Sequence, residues 1–186
     1  MRGLKLVTMA TGLIAAALPA YAALKAGDAA PLFTAAASLG GKPFTFSLAE
    51  TLKQGPVVLY FYPAAFTPGC TIEAHAFAAA IDDFAKLGAA VIGVSHDTIE
   101  TLNKFSVSEC QGKFPVAADT DMSITKSYHA ALAPLLPYAN RTSYVIAPDG
   151  LVIYAFTDMS PDQHVENTMR AVARWRAEHP AAASSR

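Results

Sequence analysis

The chain is short of cysteine: Cys70 and Cys110 are its only two thiols, and it carries a single tryptophan. No C-x-x-C pair occurs, and no histidine pair stands at zinc-ligand spacing. A dithiol redox motif and a zinc site are therefore both unexpected. Excess charge of one sign is missing as well, with 14 basic residues against 15 acidic ones. That balance is no footprint for nucleic acid, and no basic amphipathic segment suggests a membrane surface. Beyond residue 22, no apolar run is long enough for a transmembrane helix. Internal repeats and linkers are absent too, so one domain with one core is expected.

What the chain does have begins with an address. Arg2 and Lys5 form a short basic start, and Leu6 to Leu18 is an apolar stretch of 13 residues. Ala20 and Ala22 then supply an A-x-A cleavage pattern. Residues 1–22 are expected to be a signal peptide, 23–179 the folded domain and 180–186 a disordered tail. Cleavage removes two basic residues, leaving 12 (14 − 2) against 15 acidic, a net charge of −3. Export implies an oxidising compartment, expected to be a bacterial periplasm, where two thiols within reach tend to pair.

Periodicity supplies the elements. "PLFTAAASLGGKPFTFSLAE" alternates weakly about Gly40-Gly41 and reads as a hairpin. "PVVLYFY" is a continuous β-former run, the mark of a buried central strand. Helical spacing runs from Pro68 to Lys86, with Phe77, Ile81 and Phe84 on one face and Gly88 as a stop. "AAVIGVS" is a second buried strand. "HDTIETLNKFSVSECQG" reads as a helix capped by Asp97, with Glu100 at the capping-box position and Gly112 at its end. A short strand over "FPVAAD" and a helix from about Asp121–Ser123 to His129 come next, followed by the proline-punctuated loop "ALAPLLPYAN". A hairpin turning at Asp149-Gly150 and an amphipathic C-terminal helix complete the chain. In that last helix Met169, Val172 and Trp175 follow core spacing. This order implies a layered α/β domain around a mixed sheet.

Cys70 stands where a buried strand joins a helix. The first N–H groups of a helix are unpaired and its dipole presents positive charge, which favours the thiolate, the nucleophilic form. Thr67, three residues earlier, can place a hydroxyl beside the sulfur, while Pro63 and Pro68 stiffen the loop and limit water. Position alone leaves a second reading open, because buried cysteines are also inert core residues.

Pro63-x-x-x-Thr67-x-x-Cys70 resembles the active-site signature of the peroxiredoxins. "VVLYFYP" before it and "CTIEA" after it are similar to the peroxiredoxin Q branch, also called bacterioferritin comigratory protein. "VIGVSHD", "FPVAADTD" and "NRTSYVIAPDG" follow in the expected order, so the resemblance spans about Leu24 to Glu178. It implies a thioredoxin-like fold, a central mixed sheet flanked by helices with an N-terminal β-hairpin extension. It implies thiol peroxidase activity on H2O2 and organic hydroperoxides, with Cys70 as the attacking thiol. Thr67 would position the peroxide, Pro63 would shield the site, and Arg141 would supply the guanidinium that pairs with the sulfur and donates to the peroxide oxygens. No metal or organic cofactor is implied. The expected partners are a hydroperoxide substrate and a thioredoxin-like reductant, and members of the branch are often monomers.

The resemblance also implies a second thiol to resolve the sulfenic acid. In many members of the branch it lies five residues after the first, and here that position is His75. Other members carry it on the following helix, where Cys110 is expected in the last turn, near Glu109. Both the dipole and Glu109 disfavour a thiolate there. Cys110 lies eleven residues after Ile99, about three helical turns, so it is expected to point inward. It can be the resolving thiol of an intramolecular disulfide, a bystander in a one-cysteine enzyme, or half of a structural disulfide. A thiol–disulfide reductase would need C-x-x-C, and a non-catalytic module on the same fold has no use for Pro63, Thr67, Cys70 and Arg141 together. His75, His96, His129 and His164 are expected at surfaces or caps, and Asp119 and Asp121 in a turn.

Overall fold

A strand whose every residue is apolar must be covered on both faces, and the "VVLYF" run meets that demand. In the computed structural model, which describes residues 22–133 and 135–180, β3 (Val57–Phe61) lies inside a seven-stranded sheet and is buried throughout. Its parallel neighbour is β4 (Ala90–Ser95), and its antiparallel neighbour is β6 (Thr142–Ile146). Outward from β4 come β5 (Val116–Ala118), β1 (Thr34–Leu39) and β2 (Lys42–Ser47). Outward from β6 comes β7 (Val152–Thr157). The sheet is mixed, as expected. The Gly40-Gly41 hairpin forms β1 and β2, and β1 joins it to the sheet by antiparallel pairing with β5.

Period-two alternation splits β3 between two cores. Val57, Leu59 and Phe61 face a cluster with Leu48 and Leu52 of α1 (Leu48–Leu52) and Ile124 of α4 (Ser123–Ser127). Val58, Tyr60 and, just beyond the strand, Tyr62 face the other cluster. That cluster takes Phe77 from α2 (Pro68–Lys86), Phe105 from α3 (Ile99–Ser108) and Val172 from α5 (His164–Glu178). Tyr60 stacks on Phe77 with ring centroids 4.4 Å apart. Room for that ring comes from Gly93 on β4, where an added Cβ would stand 2.7 Å from it. Truncating Phe77 would cost about 3–5 kcal/mol by the usual cavity penalty.

Local rules explain the ends of α2. Pro68 occupies its first position, where a missing N–H costs nothing, and Gly88 beyond Leu87 takes φ +71°. Two expectations shift at α3. The cap is Thr98, whose hydroxyl accepts from Thr101 N–H, and not Asp97. The helix also ends at Ser108, so Cys110 lies beyond its last turn, in a stretch where Gln111 and Gly112 both take positive φ. Asp119 does lie in a turn and caps α4, accepting from Ile124 N–H, Thr125 N–H and the Thr125 hydroxyl. In α5, Val172 is buried and Met169 is half-buried in the same cluster, while Trp175, expected in the core, is half-buried and stacks on His179. The expected signal segment, apart from Ala22, and the expected tail, apart from Pro180, lie outside the described residues. Among the described residues no helix is long and apolar enough to cross a membrane.

Candidate active site

The loop from β3 to α2 is tied down by residues that follow β4. Asp97, displaced from its expected capping role, accepts from the Ala65 N–H at 2.7 Å and from the Ser95 hydroxyl at 2.7 Å. His96 Nδ1 lies 3.1 Å from the Pro63 carbonyl, so Pro63 is fixed by a histidine expected at the surface. Phe66 takes φ +65°, a left-handed conformation unfavourable for a bulky residue. Its ring packs edge-on to Phe105 of α3 at 5.3 Å. Held this way, the loop delivers Thr67 as the N-cap of α2 and Cys70 as the third residue of the helix. The Thr67 side chain is exposed, makes no capping bond and donates to the Ala64 carbonyl at 3.0 Å.

Cys70 is buried, and a guanidinium meets it. Arg141 precedes β6, and its Nη2 donates to Cys70 Sγ at 3.5 Å. Gly69 leaves room for the approach, since a Cβ there would stand a tight 3.0 Å from Nη2. The guanidinium is fixed at two further points. Its Nε donates to the Met159 carbonyl at 3.0 Å, and Nη1 donates to Glu73 Oε2. Arg141 is 3% exposed, so these bonds act in a low-dielectric setting and Arg141 stays a cation.

Glu73 was not anticipated as part of the site. It lies one turn after Cys70 on the same face of α2 and is fully buried. Burial outweighs the attraction of Arg141 and pushes its carboxyl up to about 8. Behind it stands His164, expected at a surface and found fully buried at the start of α5. Its Nδ1 is 2.8 Å from the Ser143 hydroxyl and 3.7 Å from Glu73 Oε1, and its Nε2 is 2.9 Å from the Asp158 carbonyl. Burial, with Arg141 adding, pushes the imidazole below its ordinary value. The spacing Cys70-x-x-Glu73 was a signal available in the sequence. Nothing local marked His164.

Cys110 occupies a different setting. It too is fully buried, in the cluster that holds Cys70, Tyr60, Tyr62 and Phe105, and both cysteines are free thiols. Burial, and secondarily the charge of Glu109, pushes the Cys110 thiol well above its ordinary value. The expected direction holds, but desolvation is the larger cause. Glu109 itself pairs with His75 of α2, Nε2 to Oε2 3.0 Å. The histidine standing at the branch's usual second-thiol position is thus tied to the neighbour of Cys110. Among the described residues, no group of three His, Cys, Asp or Glu side chains gathers to hold a metal ion.

A buried thiol at a helix start, met by a fixed guanidinium on a mixed sheet, defines a thiol-chemistry site of the peroxiredoxin type. The AhpC/TSA family model matches residues 26–155, and the chain belongs to that family. It is 30% identical over 151 residues to chloroplastic peroxiredoxin Q of Sedum lineare, covering 81% of this chain and 78% of that one. It is 30% identical over 161 residues to peroxiredoxin Bcp of Escherichia coli strain K12, covering 84% and 97%. The crystal structure of peroxidoxin BcpB from Mycobacterium tuberculosis superposes with a TM-score of 0.73 at 28% identity, covering 81% and 97%. The fold is thioredoxin-like and the protein is a peroxidase oxidoreductase.

Proposed function

We propose that the enzyme reduces H2O2 and organic hydroperoxides at Cys70 and resolves the product through Cys110. The observation that carries this reading is the 3.5 Å contact between Arg141 Nη2 and Cys70 Sγ at the first turn of α2. A guanidinium and free helix N–H groups together stabilise a thiolate. The sulfur attacks one peroxide oxygen, the O–O bond breaks, and Cys70 becomes a sulfenic acid. The departing oxygen leaves as alkoxide or hydroxide and takes a proton from solvent. Arg141 is the donor placed where that charge develops. Thr67, with its hydroxyl oxygen exposed at the helix start, positions the peroxide, and Pro63 shields the sulfur from bulk water.

The sulfenic acid then condenses with the Cys110 thiol, giving a Cys70–Cys110 disulfide and water. A thioredoxin-type dithiol reduces the disulfide and is itself oxidised. Both thiols are buried, and in this reading the first turn of α2 unwinds locally as the bond forms, which a loss of amide-exchange protection over residues 70–80 on oxidation tests. A Cys70–Cys110 bond formed within seconds of one equivalent of H2O2, mapped by mass spectrometry, is the expected result. Sulfenic acid on Cys70 alone would indicate a one-cysteine cycle with Cys110 a bystander. No change at Cys70 would remove the assignment. Residues 1–22 direct export to a periplasm in this reading, and a mature protein beginning at Ala23 is the expected product. The enzyme works as a monomer, which sedimentation at micromolar concentration tests.

A further inference from the structure

The site contains one cation and two acids. Arg141 reaches both Cys70 and Glu73, and a single positive charge cannot fully compensate a thiolate and a carboxylate in the same buried space. The hydrogen bonds around His164 indicate how the conflict is avoided. The Asp158 carbonyl can only accept, so Nε2 carries a proton, and burial favours the neutral imidazole. Nδ1 then accepts from the Ser143 hydroxyl at 2.8 Å, and Glu73 Oε1, on the side that Arg141 leaves open, stands 3.7 Å from that nitrogen, beyond hydrogen-bond reach. Glu73 Oε1 is fully buried and lacks a hydrogen-bond partner among the described residues. An ionised Oε1 would be a buried charge with no donor, facing a nitrogen that can only accept. A protonated Oε1 removes that charge.

We propose that Glu73 is a neutral carboxylic acid in the resting enzyme, protonated on the Oε1 that Arg141 leaves open, so that the charge of Arg141 is committed to the Cys70 sulfur. Glu73 and His164 are positioning residues in this account: they act on the reaction through Arg141. The inference rests on the reading of Cys70 as the attacking thiol. Glu73 is faced by Arg141, which precedes β6, by His164 from α5, by Cys70 on its own helix and by the Tyr60 hydroxyl from β3. The tyrosine is pushed far up by burial and stays neutral, and the Asp158 carboxylate acts on the imidazole from beyond it. Loss of the Glu73 proton is therefore the charge change that would draw Arg141 away from the sulfur.

The test is the pH profile of the second-order reaction of Cys70 with H2O2 in the Cys110→Ser protein, followed as sulfenic acid formed. The unsubstituted site should hold its rate from pH 6 to 7.5 and lose at least about threefold by pH 9 as the stored proton leaves. Glu73→Gln, an isostere that keeps the acceptor for Arg141, should lose the alkaline fall. His164→Asn should move the fall to lower pH. Infrared difference spectra of the unsubstituted protein should show a protonated carboxyl at pH 7 that is absent from Glu73→Gln, independently of how the His164 variant folds. An alkaline fall that persists in Glu73→Gln, or no protonated carboxyl at pH 7, would overturn the proposal. Absence of any sulfenic acid at Cys70 would instead overturn the reading beneath it.

Discussion

Cys70 and Cys110 are equally hidden from water and chemically unlike. Cys70 opens a long helix and is met by a guanidinium anchored at three points. Cys110 follows the end of a shorter helix and has a carboxylate as its neighbour in sequence. Both sulfurs are buried, so burial alone does not tell them apart. What separates them is the sign of the charge that accompanies burial. In the proposed cycle the two thiols of one apolar cluster take different tasks because only one of them backs onto a cation.

The largest effect should come from removing the cation. Arg141→Ala should slow the reaction of Cys70 with H2O2 by about 10²–10³, the usual loss for a preorganised charge donor, and leave alkylation of Cys110 in unfolded protein unchanged. Stopped-flow kinetics on reduced protein reads the first and thiol titration in denaturant the second. A smaller loss is expected at Asp97, which holds the loop from β3 to α2. Asp97→Ala leaves the Ala65 N–H without its acceptor and should destabilise the fold by about 1–3 kcal/mol while loosening the loop that carries Thr67. Urea unfolding measures this. Gly93→Ala should cost a similar amount, about 1–3 kcal/mol, because its Cβ would press on the Tyr60 ring within the cluster both cysteines share.

Stability should also depend on pH through Glu73. Its folded value, raised by burial from 4.5 to about 8, means that the native state binds this proton more tightly than the unfolded chain. That contribution is complete below about 4.5 and is lost as pH rises through about 8. Urea midpoints should therefore fall between pH 6 and pH 9, and Glu73→Gln should flatten the fall. The smallest effect belongs to His75. Its pair with Glu109 is half-exposed at the histidine, so His75→Ala should cost under about 1 kcal/mol. It should also speed closure of the Cys70–Cys110 bond by no more than about threefold, read by quenched-flow mass mapping.

Much of the fold was legible because its rules are local. Apolar runs gave β3 and β4, Pro68 and Gly88 bounded α2 at the observed residues, and Asp149-Gly150 turned the β6–β7 hairpin. Cys70 and Arg141 were singled out by motif, and the fold brings them together from 71 residues apart. The missed parts are those that tertiary structure decides. His164 is a lone histidine at a helix start, and only the packing of α5 against β6 buries it behind Glu73. Asp97 follows cap statistics, yet the nearby loop offers it two better donors. Cys110 was assigned to a helix that stops two residues earlier, where positive φ at Gln111 and Gly112 turns the chain.

The sharpest test sets the two sulfurs against each other. Cys110→Ser and Cys70→Ser each leave one buried thiol, and each is mixed with H2O2 at pH 7 while thiol loss is followed. The thiol at position 70 should react faster than that at 110 by on the order of a thousandfold, since only it has a fixed cation beside it. Equal rates, or a faster reaction at position 110, would contradict the account.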